Sequence, residues 1–238
     1  MPRLLLTTAL LPLFAAFAVP NLGAQDATQA SDTRPGVAVF PLYNGGSYGP
    51  EAEDLSALEV GLQQMLLTEL SQNGAMRIVE RGALRELLDE QDLGASGRVD
   101  PQTAARLGRV VGARYVILGG FSDWFGEFRV DTRIVDTETT EVLWSDRIMD
   151  RRDALYQILL NMAEKVTLAA DLPPLPFEQA EVRRSREIPA EAVTLYSRAQ
   201  VFEDTGQTDQ AIEIYQRIAE EFPEMTEANE ALRQLTET

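Results

Sequence analysis

The sequence predicts an α/β (α+β) fold: a mixed β-sheet covered by helices in the order βαβααβββα, followed by a small all-α helical-repeat module. Three observations carry that prediction. Short, continuously apolar runs such as Val37-Ala38-Val39-Phe40 and Tyr115-Val116-Ile117-Leu118 suit strands buried on both faces. Apolar residues at three- and four-residue spacing between those runs suit helices that each bury one stripe. From Phe128 onward the period changes to two, the mark of a hairpin with one wet face.

After a polar stretch over residues 25–35, the first strand is Val37 to Leu42. The Gly-rich stretch NGGSYGPE, residues 44–51, reads as a turn. Leu55, Leu58, Leu62, Met65, Leu66 and Leu70 then recur as the stripe of an amphipathic helix that Asn73-Gly74 closes. Arg77-Ile78-Val79 is a second short strand. In the next helix Leu84, Leu87 and Leu88 form a stripe, with Arg85, Glu86, Asp89 and Glu90 on the opposite side. Asp100-Pro101 starts another helix, Asp at the cap and Pro in the first turn, running through Ala104, Ala105 and Leu107 to Gly112. Tyr115 to Gly120 is the third strand. Phe128, Val130, Thr132 and Ile134 then alternate with Arg129, Asp131 and Arg133, and a turn at residues 136–140 leads into a run carrying Val142, Trp144 and Ile148. A helix over residues 152–170 buries Leu155, Ile158, Leu159, Met162 and Val166.

Residues 172–189 include LPPLPFEQ and read as a Pro-rich linker between domains. Helices follow over residues 192–203 and 209–222, then a last one to Leu235. Ala199, Phe202, Ala211, Tyr215 and Pro223 fall at the spacings of one tetratricopeptide repeat, a unit of about 34 residues. An ordinary amphipathic helical hairpin is the alternative reading.

The chain has 238 residues, 45% hydrophobic and 25% charged, which is a globular composition with room for a substantial core. Residues 1–24 read as a secretory signal peptide: Arg3, an apolar run from Leu4 to Val19 that is short for a membrane span, and small residues before cleavage at Ala24 or at Ala30. A retained N-terminal anchor is the alternative. A net charge of −17 argues against nucleic acid and anionic lipid as partners. Arg183, Arg184 and Arg186 make the one dense basic patch. With no cysteine there is neither a disulfide nor a thiol for a lipid anchor, so the exported protein is expected to be soluble and held by its core.

The absence of both histidine and cysteine removes Ser-His-Asp triads, Cys-His dyads and thiolate metal sites. Catalysis would fall to carboxylates, tyrosines or Lys165, the one lysine. Glu86, Asp89 and Glu90 lie opposite the leucine stripe and are expected to be solvated, not converged on a substrate. Glu80 is expected to cap a helix or pair with an arginine. The Gly-rich loop lacks both the Gly-Lys-Ser/Thr of a P-loop and the GxGxxG spacing. No catalytic residue, metal site or cofactor is therefore expected. Trp124, Phe125, Phe128 and Trp144 read as sheet packing or, where exposed, as a partner patch.

The segments VAVFPLYN, RIVERGALRELLDEQDLGASGRVD, AARLGRVVGARYVILGGFSD and RIVDTETTEVLWSD together resemble the CsgG family of curli secretion components, from about Gly36 to Ala170. The resemblance implies a CsgG-like and TolB N-terminal-like domain over residues 36–171, exported and non-enzymatic, with the acidic helix as scaffold. Channel proteins of the family carry a lipidated cysteine and two membrane hairpins. Those hairpins would fall between Phe121 and Phe128 and between Ile148 and Ala154, where this chain has only a few residues. A membrane strand takes about 9 to 11 residues, so neither place holds one.

The expectation is a periplasmic assembly or adaptor protein, with the outer membrane as its neighbourhood, no nucleic acid and no direct membrane span. It would bind envelope proteins or peptides through the helical repeat at residues 190–238, with homo-oligomerisation left open. An activator docking on a cell-wall synthase and a subunit of an outer-membrane channel are the alternatives. The candidate partner-binding residues are Trp124, Phe125, Ala199, Phe202 and Tyr215. The repeat cannot cover its own apolar face, and that face is expected to pack on the first domain, a second copy or a partner.

Overall fold

A strand whose four residues are all buried sits at the heart of the sheet. This is β1 (Gly36–Val39), and its unbroken apolar sequence is what a strand flanked on both sides and covered on both faces requires. In the computed structural model, which describes residues 32–50, 52–91 and 99–237, β1 runs parallel to β3 (Arg77–Ile78) and to β4 (Tyr115–Trp124). β5 (Glu127–Asp136) and β6 (Val142–Arg151) continue the sheet as an antiparallel meander, giving the order β3-β1-β4-β5-β6. The expected signal peptide lies outside the described residues, as do Glu51 and residues 92–98.

The Gly-rich stretch is more than a turn. Its residues form β2 (Tyr43–Tyr48), which pairs in parallel with the far half of β4 across an irregularity between Asn44 and Ser47. The glycines make this pairing feasible: a Cβ on Gly45 would lie 2.9 Å from the Phe121 carbonyl oxygen, and Gly46 has φ +101°.

One face of the sheet is covered by α1 (Leu58–Ser71) and α4 (Leu155–Ala169), the other by α2 (Arg81–Glu90) and α3 (Pro101–Val110). Alternation along β5 sorts the two cores. Phe128, Val130 and Ile134 join Leu62, Leu66, Leu159 and Met162 beneath α1 and α4, whereas Val135 joins Leu84, Leu88 and Leu107 beneath α2 and α3. The second helical layer is short and reaches only the β1 end of β4. As predicted, Asp100 caps α3, accepting hydrogen bonds from the backbone N–H groups of Gln102 and Thr103 with Pro101 in the first turn.

The segment expected as a linker, residues 172–189, carries an eight-residue helix, α5 (Phe177–Arg184), and is tied down at both ends. The Asn73 side chain donates to the Pro173 carbonyl (2.8 Å), and Ile188 is buried in the main core. Beyond it α6 (Ala190–Asp204), α7 (Thr208–Glu221) and α8 (Thr226–Thr236) pack in sequence. α6 lies directly on α1, and Val193, Tyr196 and Ala199 share one continuous core with Leu58, Leu62 and Met65. The two helices approach most closely where Gly61 meets Ser197, since a Cβ on Gly61 would sit 1.7 Å from the Ser197 hydroxyl. The helical module therefore packs its open face on the sheet domain, one of the three expected outcomes. Thr33–Thr238 form one compact unit.

Candidate functional site

Among the described residues, the half of the sheet that α2 and α3 leave bare is the most distinctive surface. Register places four rows across it: Leu118, Arg133 and Ser145; Gly120, Asp131 and Arg147; Ser122, Arg129 and Met149; Trp124, Glu127 and Arg151. A groove of about 790 Å³ lies over these rows, with Leu118 and Gly120 in its floor, Leu88 and Pro101 closing one end and Trp124 the other.

At the tip, Tyr48 on β2 stacks on Trp124 on β4 with ring centroids 4.3 Å apart, and the two rings are 43% and 49% exposed. Trp124 Nε1 donates to the Ser122 hydroxyl (3.0 Å) and the Tyr48 hydroxyl donates to the Gly45 carbonyl (3.0 Å), so both rings are held from behind. Phe125 projects beside them, 73% exposed. With Gly126 it forms the two-residue connection from β4 to β5, and both residues have positive φ, +57° and +85°. Two positive φ angles are the mark of a type I′ hairpin turn, in which Asn-Gly is favoured and a bulky aromatic is strained. The sequence thus keeps a costly residue at the most exposed position of the tip.

The base of the tip is rigid. Asp123 is fully buried, accepts a hydrogen bond from the Gly126 N–H (2.9 Å) and pairs with the Arg152 guanidinium, which also reaches Glu53. The Phe125 N–H donates to the Tyr48 carbonyl (2.8 Å), locking β2 to the turn. Among the described residues β4 passes to β5 and β6 to α4 through tight connections, the second a 3-10 turn at Arg152–Ala154.

On the sheet face Arg129 grips Asp131 with both Nε (2.6 Å) and Nη2 (2.8 Å), and Arg147 reaches the same carboxylate (3.1 Å). Partial burial alone would raise the Asp131 carboxyl, but the hydrogen bonds from the two arginines outweigh it and hold the group below its ordinary range. Arg133 is exposed and makes no ion pair among the described residues.

The predicted site residues divide cleanly by location. Trp124 and Phe125 are neighbours on the exposed tip. Ala199 and Tyr215 are fully buried, and Phe202 is half-buried against the same core. Tyr215 donates to Glu203 (3.0 Å) and accepts from Gln200, which locks α6 to α7, so these three residues assemble the module and do not face outward. Glu86, Asp89 and Glu90 are exposed, as their position opposite the leucine stripe predicts, whereas Glu80 stands at the N-cap position of α2 but its exposed side chain makes no cap hydrogen bond. The dense basic patch is spent internally: Arg183 pairs with Glu69 (2.6 Å), Arg184 with Glu164 (2.7 Å) and Arg186 with Glu227 (2.5 Å). Sequence reasoning missed Tyr48, hidden in a stretch read as a turn. It also passed over the arginines of β5, although the alternation that placed Phe128 and Val130 inside already placed them outside.

Comparison with known proteins agrees with the resemblance carried by the sequence. Residues 23–124 match the family described as curli production assembly/transport component CsgG, a span that ends at the tip of β4. A search of curated proteins by sequence found no match. Among solved structures, the LpoB C-terminal domain from Salmonella enterica is 19% identical, covering 52% of this chain and 89% of that one with a TM-score of 0.40. TolB from Acinetobacter baumannii is 16% identical, covering 58% of this chain and 29% of that one, also with a TM-score of 0.40. The PelC dodecamer from Paraburkholderia phytofirmans in space group P6 is 18% identical, covering 59% of this chain and 90% of that one, TM-score 0.38. Residues 23–124 are thus similar to the CsgG family, and the sheet to which they contribute β1 to β4 is mixed and covered by helices.

Proposed function

We propose that this chain, whose first domain is CsgG-like, is a non-enzymatic adaptor of the periplasm that captures envelope proteins with the bare sheet face and its aromatic tip. The single observation that carries the reading is the strained, exposed Phe125 beside the stacked Tyr48 and Trp124. Large rigid aromatics held out on a braced sheet end lose little conformational freedom on docking, and they are the residue types that dominate binding energy at protein interfaces. Strain of this kind survives where function uses it.

The reading moves the partner site from the helical repeat to the sheet. Ala199 and Tyr215 are core residues, and α6 is already covered by α1, so the repeat serves first as the missing layer over α1. The connections at the two places where channel proteins carry membrane hairpins are tight here, which weighs against a pore subunit. Among the described residues no helix is long and apolar enough to cross a membrane.

The test is quantitative affinity purification from the native envelope with the wild-type chain and with a Tyr48→Ala, Trp124→Ala, Phe125→Ala triple variant. The adaptor reading expects a discrete protein enriched by the wild type and lost with the triple variant. Identical enrichment with both would overturn it.

A further inference from the structure

We propose that the outer edge of β6 takes an extended segment of a partner protein, which adds to the sheet as a further strand. This deepens the adaptor reading and rests on it. β6 ends the sheet order beyond β5, and its ten residues include neither proline nor glycine. At the other end of the order β3 is only two residues long. Proteins ordinarily blunt a sheet edge by shortening it, by placing proline in it or by covering it. α4 lies over one face of β6, where Lys165 pairs with Asp146 and where Trp144 and Ile148 pack on the main core. Among the described residues no strand pairs with the outer edge.

The turn at Phe125-Gly126 sets which backbone groups face out. Trp124 and Glu127 flank a two-residue hairpin loop as a hydrogen-bonded pair, so the even-numbered residues of β5 turn their N–H and C=O groups toward β6. Phe128, Val130, Thr132 and Ile134 there meet Asp150, Ile148, Asp146 and Trp144. The intervening Ser145, Arg147 and Met149 therefore direct their N–H and C=O groups outward, where they have no backbone partner among the described residues. A row of alternating donors and acceptors at strand spacing is complementary to an extended polypeptide backbone. The strand is held from behind by its core residues, so the edge is preformed and docking costs it little freedom.

The side chains of β6 select against a second copy of this chain. Opposed residues of an antiparallel ladder share a face, so a twofold ladder of β6 on β6 centres on one residue. Centred on Asp146, Arg147 or Asp150, it sets that charge against itself. Centred on Ile148 it sets Asp146 against Asp150, and centred on Met149 it sets Arg147 against Arg151. Centred on Ser145 it runs into the irregularity at Leu143, which stands without a partner between Val142 and Trp144. Like charges directly opposite destabilise a ladder. The edge therefore accepts a different segment, one with no basic side chain opposite Arg147 and no acidic one opposite Asp146 or Asp150. The exposed Met149 gives that segment an apolar contact on the bare face.

The experiment selects peptides from a random displayed library on the immobilised full chain, then maps the tightest binder by residue-resolved amide hydrogen exchange. The expected result is slowed exchange at Ser145, Arg147 and Met149, the alternation that an added strand produces. Met149→Pro removes an outward N–H and leaves the ladder to β5 in place. With its fold checked by circular dichroism, this variant should bind the peptide about tenfold more weakly or worse in fluorescence anisotropy. Should the variant misfold, exchange in the wild type decides alone. A library that yields no binder, or a binder that leaves those amides exchanging as in the free chain, would overturn the inference. Equal binding by the folded proline variant would do the same. Protection of these amides in the chain alone, rising with its concentration, would make a second copy the occupant and overturn it too. All of these outcomes leave the adaptor reading intact. Failure of that reading shows separately, as partner enrichment indifferent to the aromatic triple variant.

Discussion

Phe125 is where residue-level physics and function pull against each other. A type I′ turn is best served by Asn-Gly, so Phe125→Asn should relieve backbone strain and stabilise the fold by about 1 kcal/mol, read as a higher thermal midpoint. The same change should weaken partner capture, the trade expected when strain is retained for a purpose. Glu69 presents the opposite case, a charge placed where it is unwelcome. Burial raises its carboxyl above the ordinary value of 4.5, against the pull of Arg183; Arg186, Tyr156 and Glu227 also face it. A group with a raised folded value binds more protons folded than unfolded in the window just above 4.5, so its contribution to stability is largest below that window and fades as pH rises through it. Glu69→Gln should flatten that part of the stability-versus-pH curve, measured by denaturant unfolding; an unchanged slope would place the titrating group elsewhere. Single residues also show why the site was only half legible. Trp124 and Phe125 were visible as aromatics of either role, and only the turn geometry decided that they face out. Ala199 and Tyr215 matched a repeat whose spacing encodes helix packing, so their buried location follows from the same pattern that drew attention to them.

At the scale of elements, the period of each segment was the reliable guide. Continuous apolar runs gave β1 and β4, alternation gave β5 and β6, and the Asp-Pro pair gave the start of α3. β2 escaped because its glycines serve close approach to β4, which sequence alone does not separate from a turn. α5 escaped because prolines on both sides suggested a spacer, while the contacts that pin the segment, Arg183 to Glu69 and Arg186 to Glu227, join residues far apart in sequence. The seam between α1 and α6 makes a direct prediction. Gly61→Leu would force a side chain into space held by Ser197, so it should destabilise the protein by about 1 to 3 kcal/mol in chemical unfolding, whereas the exposed Gly82, whose Cβ would meet nothing, should accept Ala without loss. Equal effects at the two glycines would mean that α6 does not dock on α1 as described.

For the whole molecule, the continuous core decides how far the parts are separable. Sequence composition suggested two domains and a linker, but Val193, Tyr196 and Ala199 complete the cover of α1, and Glu69 and Tyr156 find partners on the segment that follows α4. Removing residues 190–238 should therefore expose the apolar surface of α1 and cost the first domain its cooperative unfolding transition; an unchanged transition in the truncated chain would restore the picture of a free-standing module. Among the described residues the same arrangement leaves open the part of the sheet opposite α1 that α2 and α3 do not cover, and the account stands or falls on its use. The most direct measurement is photo-cross-linking in the native envelope with a photoreactive residue placed in turn at Phe125, Arg133, Val110 and Leu168, all exposed. The account predicts one shared protein adduct from Phe125 and Arg133 and none of it from Val110 or Leu168. Adducts confined to the control positions, or spread equally over all four, would contradict it.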